Sequence, residues 1–398
     1  MNVAGIVCEY NPIHMGHVIH IEKTREAIGG DSAIVCVMSG NFVQRGDFAV
    51  FGKRVRAEAA VRCGADLVVE MPAPYALSSA EGFASAGVVI LDKLGICDYL
   101  CFGSESGDIG ALEDVRDALA SKEAAAVMRE CLSKGIPYAA AAQKAADHIL
   151  GAKADVLRSP NNLLGVEYLK AIAVSGARLK PITIKRSGGE HDGNTGYSAS
   201  ALRRALLRGE KPADLLPPSA SSLFMEEITS GRGPISVEMY EQAMLSRLRA
   251  IKDFSALPGA TEGLDRRFAR CAAAAPTVAR ILESVKTKRY ALSRIRRMLI
   301  CACLGITASD TLAPPPYIKV LAMNRVGVRL LKEARGRAGL PVITKPASAK
   351  KMSQRAAGMM DIEAATTDFY VLAYRDEAAR YGGQEWRQTP VVVEDGER

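Results

Sequence analysis

The chain has 398 residues, 48% hydrophobic and 24% charged, with a formal net charge of +8, which is long enough to bury a large core, most simply as two domains. Its apolar stretches, such as Ala86 to Leu91, are too short to span a bilayer, and no basic segment followed by a long apolar one opens the chain, so the expected compartment is cytoplasmic. Nine cysteines, an odd number without any CxxC pair, stand among apolar neighbours (Cys8, Cys36, Cys97, Cys101, Cys301, Cys303) and read as small buried thiols in a reducing compartment rather than disulfides or zinc ligands.

Residues Val3 to Cys8 read as a short buried strand; Pro12 breaks the run, and helical spacing begins near Gly16. The stretch between and beyond, Val7-Cys8-Glu9-Tyr10-Asn11-Pro12-Ile13-His14-Met15-Gly16-His17-Val18-Ile19-His20, holds three of the chain's five histidines. A helix amino terminus offers unpaired N–H groups and partial positive charge. Gly16 lets a nucleotide approach the backbone, and His14 and His17 can donate to phosphate oxygens. If a phosphoanhydride breaks there, the imidazoles face the charge that grows in the transition state. A metal site is the alternative, since His14, His17 and His20 recur every three residues. It ranks lower, because His20 lies a full turn into the helix and only Glu9 stands nearby as a further ligand.

Further apolar runs at Ala33–Met38, Asp66–Glu70, Asp98–Gly103 and Pro181–Lys185 alternate with helical patterns around Lys53–Cys63, Ser79–Leu94 and Leu163–Val174. That alternation predicts a parallel sheet covered on both faces, with its ligand site at the carboxyl ends of the strands. Four segments stand at strand exits: the histidine turn is the first. The loop Ser39 to Asp47, leading to Lys53, Arg54 and Arg56, offers Gln44, Arg45 and Lys53 to a phosphate or carboxylate. Gly103, in Phe102-Gly103-Ser104-Glu105, is either a plain turn or a place for adenine or ribose against the backbone. The last is composite. Asn161 and Asn162 precede an amphipathic helix and read first as caps; Arg186-Ser187-Gly188-Gly189-Glu190-His191-Asp192 and Tyr197-Ser198-Ala199-Ser200-Ala201-Leu202-Arg203 suit either a capped helix or a second anion site.

A Pro- and Ser-rich stretch, Pro212 to Ser222, marks a boundary, and helical spacing dominates beyond it. Residues 241–398 carry 27 Lys and Arg against 16 Asp and Glu, net +11, leaving −3 on the first 240, so the second half is the one to meet a polyanion. Lys286, Lys288, Arg289, Arg294, Arg296 and Arg297 crowd onto two or three predicted helical turns with only Glu283 close by. Such a face is either a solvated helix or a phosphate-backbone contact. The tail beyond Trp386 turns polar and acidic.

The His14–His17 string resembles the HxGH signature of the nucleotidyltransferase superfamily. The ordered set CEYNPIHMGHVIH, MSGNFVQRGDFA, KRVRAEAAVRCGADLVVEMP, FGSE, SPNNLLGVEYLKAI, ITIKRSGGEHD and YSASALRRAL, with Val285–Arg297, Leu304-Gly305-Ile306 and Tyr317–Leu321 further on, closely resembles the bacterial tRNA(Met) cytidine acetate ligase family. The resemblance implies an α/β fold, a Rossmann-like parallel sheet of the HIGH nucleotidyltransferase type with a mostly α-helical carboxyl-terminal domain, divided as residues 1–209 (ATP-binding, catalytic) and 210–398 (tRNA-binding). It implies a ligase that activates acetate as acetyl-adenylate, releases pyrophosphate and acetylates N4 of the wobble cytidine of elongator methionine tRNA. ATP, accompanied by Mg²⁺, would contact Val7 through His20, Gly103, Asn161 (with Asn162 the alternative) and Arg186. His14 and His17 would stabilise the α-phosphate and departing pyrophosphate, Lys53 and Arg186 would neutralise the outer phosphates, and the basic run from Lys286 to Arg297 would meet the tRNA. Met15 and Ile13 depart from the pattern, conservatively for a backbone-mediated site. A small-molecule adenylyltransferase of the same superfamily and a nonenzymatic tRNA-binding protein remain the rival readings, and the sequence leaves the oligomeric state open.

Overall fold

The computed structural model describes residues 1–186, 199–210 and 216–394. In chain order its elements begin with β1 (Asn2–Cys8), α1 (Met15–Ile28), β2 (Ser32–Ser39), the hairpin β3 (Phe42–Val43) and β4 (Asp47–Phe48), α2 (Lys53–Arg62), β5 (Leu67–Met71), α3 (Ala73–Ala76), α4 (Ala80–Leu94) and β6 (Tyr99–Ser104). Helices α5 (Ile109–Leu119), α6 (Lys122–Ser133), α7 (Tyr138–Leu150) and α8 (Pro160–Ser175) lead to β7 (Lys180–Lys185) and α9 (Ala199–Leu207). A helical stretch follows: α10 (Pro218–Thr229), α11 (Glu241–Ala250), α12 (Leu264–Ala274), α13 (Val278–Val285) and α14 (Leu292–Leu304). The chain ends with β8 (Ile318–Met323), α15 (Arg325–Ala334), β9 (Val342–Ile343), α16 (Gln354–Tyr370), α17 (Gln384–Arg387) and β10 (Val391–Val392).

The sheet order is β10-β8-β5-β2-β1-β6-β7, with β9 beside β8. The β5, β2, β1, β6 and β7 set is parallel, with Val3 opposite Ala33 and Gly5 opposite Leu100. Val35, Val37, Leu67 and Val69 are wholly buried, as central parallel strands covered on both faces require. Helix α4 lies close against this sheet: a Cβ on Gly87 would come within 2.6 Å of Val7, so only glycine fits there.

The expected Rossmann-like parallel sheet is present, and β8 adds to it antiparallel beside β5. One expectation is corrected: the division at residue 209 does not separate a sheet domain from a helical one. Residues 317–394 return to the sheet, where Ile318, Val320 and Met323 join the core formed by Val35 and Leu67. The helical module proper is the stretch between, whose own core of Met244, Phe268, Ile281 and Met298 meets Phe369 and Tyr370 of α16. All nine cysteines are free thiols. Among the described residues no helix is long and apolar enough to cross a membrane.

Candidate active site

From β1 the sheet extends one way through β2 and β5 and the other way through β6 and β7. The carboxyl ends of β1 and β6 therefore flank a topological switch point, where open α/β sheets take their ligands. Strand β1 runs into the histidine turn and β6 ends at Gly103-Ser104.

Local sequence fixes the turn firmly. Ile13 is fully buried and Tyr10 nearly so, and Tyr10 holds φ of +42°, a region that costs a bulky residue about 1–3 kcal/mol and gathers at ligand sites. Asn11 Oδ1 accepts from the Val50 N–H at 2.7 Å, and the Asn11 carbonyl accepts from Arg203 Nη1 at 2.9 Å. His14 is the N-cap of α1. The Gly16 N–H donates to His14 Nδ1 at 3.1 Å, and the His14 N–H donates to His17 Nδ1 at 3.3 Å, a reciprocal cap built from two imidazoles. A Cβ on Gly16 would sit 3.0 Å from the His14 ring, so glycine makes room for this cap. The rings stack with centroids 3.9 Å apart and 29° between planes. A ring nitrogen that accepts carries no proton, so each imidazole holds its proton on Nε2 and leaves that N–H for a ligand.

Burial is the main reason these histidines stay neutral. It brings His14 down to about 4, with the Arg186 and Arg203 charges adding to the effect, and brings His20 down to about 4, with Arg186 adding. His17 lies well below its ordinary value for the same reason, with His14, His20 and Arg186 contributing. The unfolded chain, near 6.5 for each group, binds more protons than the folded one between about pH 6.5 and pH 4. Stability is therefore lost as pH falls through that window. Melting temperatures measured from pH 7 to 4 should fall, and a His14→Asn variant, lacking one such group, should fall less.

Across the crevice, Arg186 follows β7 and packs its stem over Gly103: a Cβ there would meet Arg186 Cγ at 3.2 Å. The structure thus brings His14, His17, His20, Gly103 and Arg186 together. Arg203, which the sequence offers as part of either a capped helix start or a second anion site, joins them by holding the Asn11 carbonyl. Ser187 to Ser198, which include the Gly188-Gly189 and His191 motif, lie outside the described residues. Asn161 and Asn162 open α8 beside β6. Asn162 is buried, and its Oδ1 accepts from the Glu105 and Ser106 amides at 2.9 and 3.2 Å while Nδ2 donates to the Val156 carbonyl. Its side chain is thereby tied to the exit of β6 and to the segment before α8. Asn161 is half-buried, with Nδ2 on Glu105 at 2.6 Å.

Lys53 is corrected. Its Nζ lies 2.6 Å from Glu70, 2.8 Å from Glu385 and 3.5 Å from Glu363, with only 3% of its side chain exposed. That ammonium is committed to three buried carboxylates and is not offered to phosphate. The loop's organising cation is Arg56, wholly buried, which donates to the carbonyls of Glu9, Ser39, Gly40 and Phe51. It ties the carboxyl ends of β1 and β2 together. Glu9 in turn accepts from the Gln44 N–H at 2.6 Å, placing that loop beside the histidine turn.

The basic run is also corrected. It is not one helical face, because α13 stops at Val285 and α14 starts at Leu292. Lys286, Lys288, Arg289 and Arg296 are exposed. Arg294 instead bonds Glu262 at 3.1 Å and the Gly259 carbonyl at 2.9 Å, and Arg297 donates to the Gln44 carbonyl at 3.2 Å. Gly46, at φ +74°, presses against this helix: a Cβ there would come 2.5 Å from the Arg297 nitrogen. Helix α14 is thereby docked on the loop that borders the crevice.

The profile of the HIGH Nucleotidyl Transferase family matches residues 1–385. A Caldicellulosiruptor saccharolyticus protein named tRNA(Met) cytidine acetate ligase is 36% identical over 403 residues, covering 99% of each chain. One of the same name from Acetivibrio thermocellus is 33% identical over 419 residues, covering 99% of this chain and all of that one. The crystal structure of Thermotoga maritima TmcAL bound with alpha-thio ATP superposes with a TM-score of 0.93 at 32% identity, covering 99% of this chain and 100% of the other.

Proposed function

This chain belongs to the HIGH nucleotidyltransferase family, among its tRNA(Met) cytidine acetate ligases, and on that premise we propose that it joins acetate to N4 of the wobble cytidine of elongator methionine tRNA at the expense of ATP, in the cytoplasm. The observation that carries the mechanism is the pair of stacked, neutral imidazoles capping α1 at the switch point. An acetate oxygen attacks the α-phosphorus in line with the departing pyrophosphate, forming acetyl-adenylate. The Nε2–H groups of His14 and His17 donate to the oxygens on which charge accumulates, and the preorganised helix mouth adds its dipole. Arg186 and Arg203 neutralise the triphosphate, while Lys53 stays paired with its buried carboxylates. Gly103 lets the nucleoside lie against β6, with Asn161 at its edge. The cytidine amine then attacks the acetyl carbonyl, expelling AMP and losing a proton.

Among the described residues no three His, Cys, Asp or Glu side chains gather as a metal cage. Mg²⁺ is proposed to arrive on the triphosphate, held by phosphate oxygens and water, as is usual for this ion. Lys286, Lys288 and Arg289, exposed just before the docked α14, and Arg296, exposed on it, are the proposed phosphate contacts to tRNA.

Incubation with ATP, labelled acetate and a tRNA mixture, followed by nuclease digestion and mass analysis, should yield labelled N4-acetylcytidine from the methionine elongator alone. Label in no nucleoside, alongside turnover of ATP with a phosphorylated small molecule, would reject the reading in favour of a small-molecule adenylyltransferase.

A further inference from the structure

Between the sheet and the helical module lies a cavity of about 560 Å³ that shares no residue with the histidine turn. The amino end of α4, with Ser79 and Ser85, forms one part of its wall, Arg297 of α14 another, and Tyr75, Leu312 and Pro314 a third. Arg297 is half-buried and makes one hydrogen bond, to the Gln44 carbonyl; among the described residues it has no carboxylate partner. Burial lowers its pKa, the mark of a cation sheltered from water without a counter-ion, an arrangement that an arriving anion relieves.

Helix α4 meets the cavity at its amino end through Ser79, its N-cap, and Gly82. Ser79 Oγ accepts from the Gly82 N–H at 3.2 Å, and the positive end of the 15-residue helix's dipole lies at this wall. Nearby acids do not neutralise the cavity. Glu81 acts on Tyr138 and Glu167, and Asp310 is tied to the Thr307 N–H and hydroxyl. On the apolar side the Tyr75 hydroxyl is fixed, donating to the Ala313 carbonyl at 2.6 Å and accepting from Arg355 at 2.8 Å. Leu312 is 84% exposed at the rim. Exposed apolar side chains beside a guanidinium suit the apolar face and the phosphate of an unpaired nucleotide.

We propose that this cavity receives one nucleotide of the RNA substrate, its phosphate between Arg297 and the mouth of α4 and its base against Leu312 and Pro314. The proposal rests on the RNA-acetylating reading above and extends it to a subsite. Gln44 is the partition between this cavity and the histidine turn: its carbonyl accepts from Arg297, its Nε2 donates to the Ser78 carbonyl at 3.3 Å, and its N–H donates to Glu9. A nucleotide seated on one side of that partition holds its neighbour, the acceptor cytidine, toward the other.

The test uses the full-length protein and unmodified elongator methionine tRNA. Ser85 is exposed on α4, so Ser85→Glu and Ser85→Lys place opposite charges of similar reach in the cavity without disturbing the core. Ser85→Glu should weaken tRNA binding about tenfold or more and lower the acetylation kcat/KM alike, while Ser85→Lys binds at least as tightly as wild type. Both should keep acetate-dependent pyrophosphate exchange measured without tRNA. Arg297→Met should follow Ser85→Glu and reduce the salt slope of binding by about one. Equal tRNA affinity in the two Ser85 variants, whether unchanged or reduced alike, overturns the subsite. A wild-type protein that shows neither exchange nor acetylation overturns the proposed function instead.

Discussion

Replacing His14 by asparagine should lower acetate-dependent exchange of labelled pyrophosphate into ATP on the order of 10²–10³-fold, the usual loss when one preorganised donor to a transition-state oxyanion is removed. Asparagine is chosen because His14 has two roles. Its Nδ1 caps α1 by accepting from Gly16, and its Nε2–H is free to meet phosphate. Asparagine ranks among the best N-cap residues, so it keeps the first role and discards the second. His14→Ala discards both, and should add about 0.5–2 kcal/mol of destabilisation to a similar loss of exchange. His17→Gln removes the other donor and should be as slow as His14→Asn. tRNA binding should be near wild type in all three, since the exposed basic residues lie on other elements. Unimpaired exchange in both His14→Asn and His17→Gln would reduce the imidazole pair to a helix cap and leave the backbone amides as the only phosphate donors.

The strands are readable to within a residue or two because each is a short apolar run, and in β2 and β5 a nearly continuous buried one. The histidine turn was readable because an apolar strand, a proline and a glycine follow one another over a few positions. What escaped depends on partners far along the chain. Strand β8 was hidden by three prolines before it and by Lys319 within it, a residue that belongs inside only because Glu70 and Glu385 wait there. Lys53 looked like a loop cation able to grip phosphate for the same reason: the carboxylates that claim it lie up to 332 positions away. The structural role of Arg56 carries no local signal, and that of Arg203 on Asn11 is not separable in sequence from an anion site, since both act on backbone carbonyls that every sequence possesses. Charge density from Lys286 to Arg297 was visible, but the break between α13 and α14 that turns Arg294 and Arg297 inward was not.

Lys53→Met should be among the most destabilising substitutions in the protein while sparing the chemistry of whatever fraction folds. The Lys53 ammonium sits with Lys319 among Glu70, Glu363 and Glu385, which come from β5, α16 and α17. Although burial alone would raise it, Glu70 is pulled down to about 2 by Lys319 and Lys53. Burial, aided by the charge on Glu70, instead lifts Glu363 to about 7. Two ammonium groups thus face three carboxyls, one of which is partly protonated near neutrality. Removing one cation leaves buried charge unpaired, a change that typically costs about 3–5 kcal/mol. Because the raised Glu363 favours its protonated form in the fold, its contribution is present below about pH 4.5 and is lost as pH rises through about 7. The Lys53→Met defect should therefore deepen from pH 5 to 8. Glu363→Gln added to Lys53→Met withdraws one acid for the lost base, and should recover stability well beyond the sum of the single effects in a double-mutant cycle. Denaturant melts at pH 5 and 8 measure these differences, and exchange activity per folded molecule should stay near wild type. A stable Lys53→Met protein with exchange as weak as His14→Asn would return Lys53 to the phosphate site and overturn its structural assignment.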